Sequence, residues 1–425
     1  METKRLIEQI ESRYLDEDFL DIYIDSEQLE YQRKRYIDAI KKYEACFGAG
    51  DVKIFSAPGR SEIGGNHTDH QHGEVLAASI NYDAIGVVKK ITGEKVRVVS
   101  DDVSAIEISL DDLEKKDIEK GTTNALIKGV LAGFVKRGYN IGGFQAYITS
   151  DVLIGAGVSS SAAFETLIGT ILSGLYNKMS VSCVEIAMIG QYAENEYFGK
   201  PCGLMDQMAC SVGGLVHIDF ENPKSPICKK VPFALEKYGY SLCITDTKGS
   251  HADLTDEYAA VPEEMRQVAK YFGEEVLVDI TLEEIVNEIC GLRNELSDRA
   301  LLRAIHFMNE NNRVKKEVEA LKAGDVPYFL ALVKESGDSS FKYLQNVYAN
   351  KDIAHQNVSI ALAVSEMFLQ KNGVCRVHGG GFAGTIQAFV KNEEVKAYQK
   401  LMNQVFGENA CSIYKIRKYG GIQVV

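Results

Sequence analysis

Three segments rich in glycine and serine follow one another along this chain, and each lies beside a strand-like or helix-like run. They span residues 60–73, 155–163 and 379–384 and are called here the first, second and third segments. The second segment opens an amphipathic stretch that continues to Tyr176 and predicts a helix. Backbone N–H groups and the helix dipole at its start favour an anion. Separated segments of this kind predict one polyphosphate site assembled from distant parts of the chain.

The length and charge of the chain restrict its class. Its 425 residues are enough for about two domains. A formal charge of −13 disfavours a general surface for nucleic acid or anionic membranes, because such surfaces need clustered Lys and Arg. Residues 1–16 lack the apolar core of a signal peptide, and no later apolar run reaches spanning length. We therefore expect a cytoplasmic protein without nucleic-acid or membrane partners, either a monomer or a weak homodimer.

Hydrophobic periodicity predicts a mixture of helices and strands in both halves of the chain. The predicted helices are 31–47, 124–136, 160–176, 184–198, 256–272, 298–321 and 355–371, and the predicted strands are 52–57, 75–88, 96–100, 144–150, 214–220, 241–247, 374–378, 383–390 and 412–416. Proline and glycine interrupt both periodicities at 221–232. We therefore predict an N-terminal domain at 1–230, with a helical leader at 1–50, and a C-terminal domain at 231–425.

The third segment matches the pattern G-x-G-x-x-G, which in a dinucleotide-binding fold must open a helix. Residues 385–390 are instead β-branched and aromatic, which favours a strand. This predicts a turn between two strands, either a plain glycine hairpin or a turn close to a ligand. The lysine-containing Walker A pattern is absent from the sequence. Phosphate charge must then be met by helix N–H groups and a divalent cation.

Residues 58–69, PGRSEIGGNHTD, resemble the galactokinase signature. Residues 157–163 and the third segment resemble the second and third motifs of the GHMP small-molecule kinases. The likeness also includes residues 201–207 and 257–258, and residues 303–306 with Glu310 and Arg313, so that it runs from about residue 31 to the C-terminus. It implies an α+β, two-domain GHMP kinase architecture, with an N-terminal domain like ribosomal protein S5 and a ferredoxin-like C-terminal domain. The implied reaction transfers the γ-phosphate of ATP to the anomeric hydroxyl of α-D-galactose.

Two residues match the catalytic positions of that family. The resemblance implies that Asp206 takes the proton from the anomeric hydroxyl and that Arg60 is its electrostatic partner. Phosphoryl transfer depends mostly on positioning and electrostatics, which a carboxylate and a guanidinium can supply. We therefore predict that Asp206 and Arg60 are catalytic.

The second segment is predicted to bind ATP. Its contacts would be Gly155, Ala156, Gly157, Val158, Ser159, Ser160, Ser161 and Ala162. The resemblance also implies that Ser161 and Glu194 hold Mg²⁺, since both offer hard oxygen ligands. Ser159 and Ser160 could instead cap the helix through their hydroxyls, and Glu194 could lie on a solvated helix face.

Sugar recognition is predicted to involve residues of the first and third segments and of the matching stretches 201–207 and 257–258. These residues are Asn66, His67, Asp69, Gly203, Tyr258, Gly380 and Gly381. The chain departs from its relatives here, because most galactokinases carry Glu where Asn66 stands and Tyr where His70 stands, and their Arg-Val-Asn opening reads Arg-Ser-Glu at 60–62. An amide in place of a carboxylate could favour another hexose, a uronic acid or an N-acetylhexosamine. If this position alone sets the preference, Asn66→Glu should improve the use of galactose.

Two alternatives of other classes remain open at this point. The cluster of His67, Asp69, His70 and His72 could be a transition-metal site, although its spacing fits no standard closed site. The chain could also be a non-catalytic sensor that binds galactose and ATP. The intact serine triplet at 159–161, together with Arg60 and Asp206, favours the enzyme.

Overall fold

The computed structural model describes residues 1–101, 105–153, 155, 157–249 and 254–425. Ala156, one of the predicted ATP contacts, lies outside the described residues. The α-helices of the described residues are α1 Thr3–Glu11, α2 Asp16–Tyr23, α3 Leu29–Phe47, α4 Thr123–Lys136, α5 Ser160–Tyr176, α6 Cys183–Tyr192, α7 Met205–Val212, α8 Thr255–Tyr271, α9 Leu282–Asn287, α10 Ile289–Glu295, α11 Asp298–Ala323, α12 Val326–Ser339, α13 Asn357–Leu369 and α14 Val395–Phe406. The strands are β1 Lys53–Gly64, β2 Glu74–Lys90, β3 Lys95–Ser100, β4 Ile106–Ser109, β5 Phe144–Ser150, β6 Leu215–Asp219, β7 Ile227–Val231, β8 Tyr240–Asp246, β9 Val374–His378, β10 Thr385–Lys391, β11 Cys411–Tyr414 and β12 Ile422–Gln423.

The strands form two sheets, and the predicted α+β class is confirmed. The first sheet has the order β12-β1-β2-β5-β3-β4, with β6 pairing β2 and β7 pairing β6. The second sheet has the order β11-β8-β10-β9 and is antiparallel throughout. The predicted domain boundary at 230 and 231 falls at the end of β7, while β12 returns from the C-terminus to the first sheet. The domain limits stay a prediction.

Both faces of the first sheet are covered by helices. Apolar residues of α4, α5 and α6 pack on one face, around Phe55 and Ala146. The leader helices α1 to α3 pack on the other face, around Ile54 and Tyr147. This burial on both sides agrees with the uninterrupted apolar runs at 75–78 and 84–88 of β2. A separate core between the two sheets includes residues from both halves of the chain, among them Ile63, Leu242 and Val314.

Strand β1 continues through the start of the first segment. Its pairing with β2 shifts register between Pro58 and Arg60 and again between Glu62 and Gly64. The sequence predicts a strand only to residue 57, because Pro58 and Gly59 resemble a break. The register shifts absorb that break instead, and such bulges re-aim side chains. Residues 60–64 are therefore strand rather than loop.

A buried ion cluster around Asp83 fixes the leader on the first sheet. Arg35 of α3 donates to this carboxylate at 2.6 Å, and Arg417 donates to it at 2.8 Å. The hydroxyl of Tyr23 donates to the same carboxylate at 2.9 Å. Asp83 and Arg417 are fully buried, so that removing either partner would leave an uncompensated charge. None of the helices in the described part of the chain is long and apolar enough to cross a membrane.

Candidate active site

The second segment turns sharply before α5 begins. The φ angles of Gly155 and Gly157 are 81° and 71°, and Ser159 has a φ of 58°, which is uncommon for a residue with a side chain. A Cβ atom at Gly157 would lie 2.5 Å from Thr385 Oγ1 at the start of β10. Only glycine therefore fits where the second segment touches the second sheet.

The start of α5 presents backbone donors to the space in front of it. Helix α5 begins at Ser160, and the side chain of Ser159 does not cap it. The Ser159 hydroxyl donates instead to Asp206. In an α-helix the first N–H groups have no acceptor within the helix, which makes the N–H groups of Ser160, Ser161 and Ala162 suitable for a phosphate. The capping alternative is therefore wrong for Ser159.

Arg60 and Asp206 form a two-point ion pair beside the second segment. Arg60 Nε and a terminal nitrogen of Arg60 each donate to one oxygen of Asp206, both at 2.7 Å. The other terminal nitrogen of Arg60 donates to the carbonyl of Gly157. Asp206 lies in the first turn of α7, where the helix dipole favours a negative charge. The structure thus joins β1, the second segment and α7 at one point.

The environment of Asp206 keeps it ionised. Burial raises the pKa of this carboxyl group, but the charge of Arg60 and the hydrogen bonds from Arg60 and Ser159 outweigh that effect. The pKa of Asp206 therefore lies below its ordinary value of 3.8. Asp206 is an anion at neutral pH and can accept a hydrogen bond from a hydroxyl group.

Ser161 and Glu194 lie side by side at the start of α5. The hydroxyl of Ser161 donates to Glu194 Oε1 at 3.0 Å, and Lys200 Nζ lies 3.2 Å from the same oxygen. Only 2% of Glu194 is exposed, so a solvated helix face is the wrong interpretation of this residue. A hydroxyl and a carboxylate are the hard oxygen ligands that Mg²⁺ prefers. The donor set therefore fits the predicted cation.

Glu165, which the sequence did not single out, and Gln207, the last residue of the 201–207 likeness, support this corner of the site. Gln207 Nε2 donates to Glu165 at 3.1 Å and to Glu194 at 2.8 Å. Burial, together with the nearby charge of Glu194, raises the pKa of Glu165 well above its ordinary value. Gln207 immediately follows Asp206, so its two hydrogen bonds connect the position of α7 to that of Glu194.

The predicted sugar residues converge on the same region from three elements. His67 Nε2 lies 3.1 Å from the carbonyl oxygen of Gly380. A Cβ atom at Gly203 would lie 2.3 Å from Asp69 Oδ2, so the absence of a side chain at 203 allows this close approach. Burial, with a contribution from the neighbouring His70, lowers the pKa of His67. His67 is therefore neutral at physiological pH.

Tyr258 of α8 supports the third segment. Its hydroxyl donates to the carbonyl of Gly381 at 2.7 Å, and its ring packs edge-on against Phe382 at 5.3 Å. A Cβ atom at Gly380 would lie 2.8 Å from the Tyr258 ring. The third segment connects β9 to β10, as the sequence predicted, and Tyr258 holds its backbone in place.

Asn66 is placed differently from its predicted neighbours. It is fully buried, and its side-chain amide donates to Gly379 O at 2.7 Å and to Glu62 Oε1 at 3.1 Å. Its side-chain oxygen accepts from Asn346 Nδ2 at 2.9 Å and from Ser340. Both polar atoms of the Asn66 side chain are thus occupied by protein groups.

A second residue that the sequence analysis did not identify is His378, a buried histidine of β9. His378 Nε2 accepts from the backbone N–H of Glu62 at 3.3 Å, which places the ring hydrogen on Nδ1, where it is donated to Thr385 Oγ1 at 2.9 Å. Burial and the nearby charge of Arg60 lower the pKa of His378 well below its ordinary value. This neutral ring connects β1 to β9 and β10. Nothing in the local sequence signals this role, because its partners lie far away along the chain.

The histidine cluster of the first segment does not form a metal centre in the part of the chain that the structure describes. No group of three or more His, Cys, Asp or Glu side chains is arranged there to hold a metal ion. The carboxylate of Asp69 accepts from the backbone N–H of His70 instead.

Comparison with known families agrees with this geometry. The model named "GHMP kinases N terminal domain" matches residues 125–214, which include the second segment and Asp206. The model named "Galactokinase galactose-binding signature" matches residues 41–90, which include the first segment. A structure of Methanococcus jannaschii mevalonate kinase, 17% identical, covers 86% of this chain and 99% of its own with a TM-score of 0.57, which shows the shared fold alone. Fold and site together define a GHMP kinase.

Similar proteins specify the family further. The galactokinase of Glaesserella parasuis serovar 5 is 32% identical over 390 residues, which cover 90% of this chain and 98% of that relative. The galactokinase of Lactococcus lactis subsp. lactis is 30% identical over 379 residues, covering 87% and 90%. A crystal structure of Lactococcus lactis galactokinase complexed with galactose is 26% identical, with a TM-score of 0.76 over 90% of this chain and 98% of its own. This chain belongs to the galactokinase family.

Proposed function

We propose that this protein is an ATP-dependent sugar kinase that phosphorylates α-D-galactose at its anomeric hydroxyl, giving ADP and galactose 1-phosphate. The observation that carries the proposal is the meeting of Asp206 and Arg60 with the N-terminus of α5. The carboxylate that can accept a proton is thereby hydrogen-bonded to Ser159, which immediately precedes the backbone N–H groups that can bind phosphate. Membership of the galactokinase family supports the choice of substrate.

In the proposed reaction the anomeric oxygen attacks the γ-phosphorus while the bond to the bridging oxygen of ADP breaks. The hydroxyl proton passes to the carboxylate of Asp206. The lowered pKa of Asp206 makes it a weak base, so we place this transfer late, after most of the bond to the leaving group is broken. Arg60 orients the carboxylate and stabilises negative charge on the transferring group.

The backbone N–H groups at 160–162 would bind the phosphates of ATP, with the glycines of the second segment allowing their close approach. Ser161 and Glu194 would hold Mg²⁺, which neutralises phosphate charge when bound. Lys200, 3.2 Å from Glu194 Oε1, balances part of the charge of this carboxylate.

On the sugar side we propose His67, Asp69 and Gly203 as the recognition surface, with Tyr258, Gly380 and Gly381 forming its edge. The carboxylate of Asp69 can accept hydrogen bonds from two hydroxyls at once. Another hexose, a uronic acid or an N-acetylhexosamine remains the alternative substrate within this class. A cytoplasmic location and a monomeric or weakly dimeric state stay predictions.

The experiment is coupled detection of ADP with the purified protein, ATP and Mg²⁺ against a panel of hexoses and uronic acids. We expect galactose to give the highest kcat/KM. A higher kcat/KM with another sugar of the panel would replace galactose by that sugar. Galactose binding without turnover on any sugar would instead identify the non-catalytic sensor.

A further inference from the structure

Asn66 lies between the first segment and the C-terminal half of the chain rather than at an open surface. Its backbone carbonyl accepts from His306 Nε2 at 3.0 Å, and its backbone N–H donates to Glu310 at 3.3 Å. Its side chain contacts Asn346 and Gly379, which also belong to the C-terminal half. Asn66 therefore fastens the first segment to α11, to residue 346 and to the third segment at the same time.

The chemistry of these contacts requires an amide. The NH₂ group of Asn66 donates to a carboxylate, that of Glu62, and to a carbonyl, that of Gly379. A carboxylate at position 66 would turn both contacts into oxygen facing oxygen, and one of them would join two negative charges. Like charges held this close in a buried site are strongly unfavourable.

Glu62 in turn is committed to a buried arginine. Arg376 of β9 donates to Glu62 Oε1 at 2.7 Å, and this arginine is fully buried. The arginine compensates one carboxylate, so a second carboxylate at position 66 would remain without a cation of its own at this contact. Only one of positions 62 and 66 can therefore carry a carboxylate, and the other position needs an amide.

We propose that Asn66 and Glu62 form an amide–carboxylate clamp that positions the first segment against the third, and that Asn66 is a positioning residue instead of a sugar ligand. The clamp holds the backbone from which His67 and Asp69 extend. The effect on galactose rests on the proposed function, whereas the pairing of the two residues does not. The clamp also reverses the expectation from the sequence, because a glutamate at 66 beside Glu62 should impair the use of galactose.

The test exchanges the two functional groups with almost no change of shape. Asn66→Asp alone should lower kcat/KM for galactose about thirtyfold and lower the melting temperature, since it opposes two buried carboxylates. The double variant Glu62→Gln with Asn66→Asp restores one acid and one amide. It keeps one negative charge near Arg376, although no longer at position 62, and the contact of position 66 with the Gly379 carbonyl stays unfavourable. Relative to Asn66→Asp alone, kcat/KM should recover to within about fivefold of the unmodified protein and the melting temperature should recover in part. Asn177→Asp is the matched control, because this buried asparagine also donates to backbone carbonyls, and Glu62→Gln should not rescue it.

A second readout separates a positioning residue from a sugar ligand. For each monodeoxy analogue of galactose, the kcat/KM for galactose is divided by the kcat/KM for the analogue. Each of these ratios should have the same value in the double variant as in the unmodified protein. A ratio that collapses at one hydroxyl would show that Asn66 binds that hydroxyl and would overturn the proposal. Additive losses in the double variant would overturn it as well.

Melting temperatures test the pairing of positions 62 and 66 even if the protein does not phosphorylate galactose. If the unmodified protein does not phosphorylate galactose, rescue of stability by Glu62→Gln still supports the clamp while the proposed function fails. If Asn66→Asp does not fold, recovery of soluble protein in the double variant supports the pairing, and no recovery contradicts it.

Discussion

Arg60 and Glu62 lie two residues apart on β1, and each forms an arginine–carboxylate ion pair. The two pairs differ in their access to solvent. Arg60 and Asp206 are 2.7 Å apart, with 9% and 31% of their side chains exposed. Arg376 and Glu62 are also 2.7 Å apart, with 0% and 4% exposed. Both pairs join a guanidinium to a carboxylate, but burial raises the pKa of Glu62 whereas Arg60 lowers that of Asp206. The partly exposed pair is accessible to a ligand, whereas the buried pair can only stabilise the fold.

The most severe test of this contrast removes the exposed carboxylate. Asp206→Asn should reduce kcat about a thousandfold, because the proton acceptor is lost, while the Kd for ATP stays nearly constant. Asp338→Asn, which affects a surface ion pair with Lys334, is the control and should leave kcat unchanged. Unchanged turnover in Asp206→Asn would refute the assignment of the base.

Substitution of Arg60 should mainly lower activity, whereas substitution of Arg376 should mainly lower stability. Arg60→Met should lower kcat/KM about a hundredfold and the free energy of unfolding by only about 1 kcal/mol, since Asp206 is partly solvated. Arg376→Met leaves Glu62 buried without a cation and should lower the free energy of unfolding by about 3–5 kcal/mol. Denaturant titration and steady-state kinetics measure both quantities. Equal kinetic and stability losses in the two variants would break the comparison.

The contact between the second segment and β10 can be tested with two glycines. Gly157→Ala adds a Cβ atom 2.5 Å from Thr385 Oγ1 and should raise the KM for ATP about tenfold. Gly155 has a similar positive φ, and a Cβ atom there would meet nothing within 4 Å, so Gly155→Ala isolates the cost of the backbone angle. We expect a smaller change in that control. Equal effects would show that the contact with Thr385 does not shape the site.

The pH dependence should show the smallest effect. The pKa of Asp206 is lowered, so the ionised form persists as the pH falls, and kcat/KM should stay nearly flat from about pH 8 to pH 5. The lowered pKa values of His67 and His378 keep both rings neutral in this range. Arg60→Met removes the largest effect that offsets burial and leaves only those of Ser159 and Lys200, so the acid limb should move to higher pH. A limb near pH 6 in the unmodified protein would contradict this assignment.

The sequence predicted the elements that carry strong local signals. The start of α5 at Ser160, the strand at 144–150 and the strand at 374–378 agree with the observed bounds. Helices α7 and α12 were not predicted, and β1 runs past Pro58 to Gly64, because pairing with β2 overrides the local breakers.

The orientation of Asn66 could not be predicted from its neighbours. Its contacts with Glu310, Asn346 and Gly379 cross more than half of the chain, and no local pattern encodes them. His378 and Arg376 were missed for the same reason. The residues predicted to touch a ligand resemble a family motif, whereas the residues that position them depend on tertiary packing.

The most direct measurement is a crystal structure of the protein with galactose and a non-hydrolysable ATP analogue. We predict that the anomeric oxygen lies within hydrogen-bond distance of Asp206, that the phosphates contact the N–H groups at 160–162, and that Glu62 and Asn66 touch no sugar atom. A sugar held by Asn66 or Glu62, or an anomeric oxygen remote from Asp206, would contradict it.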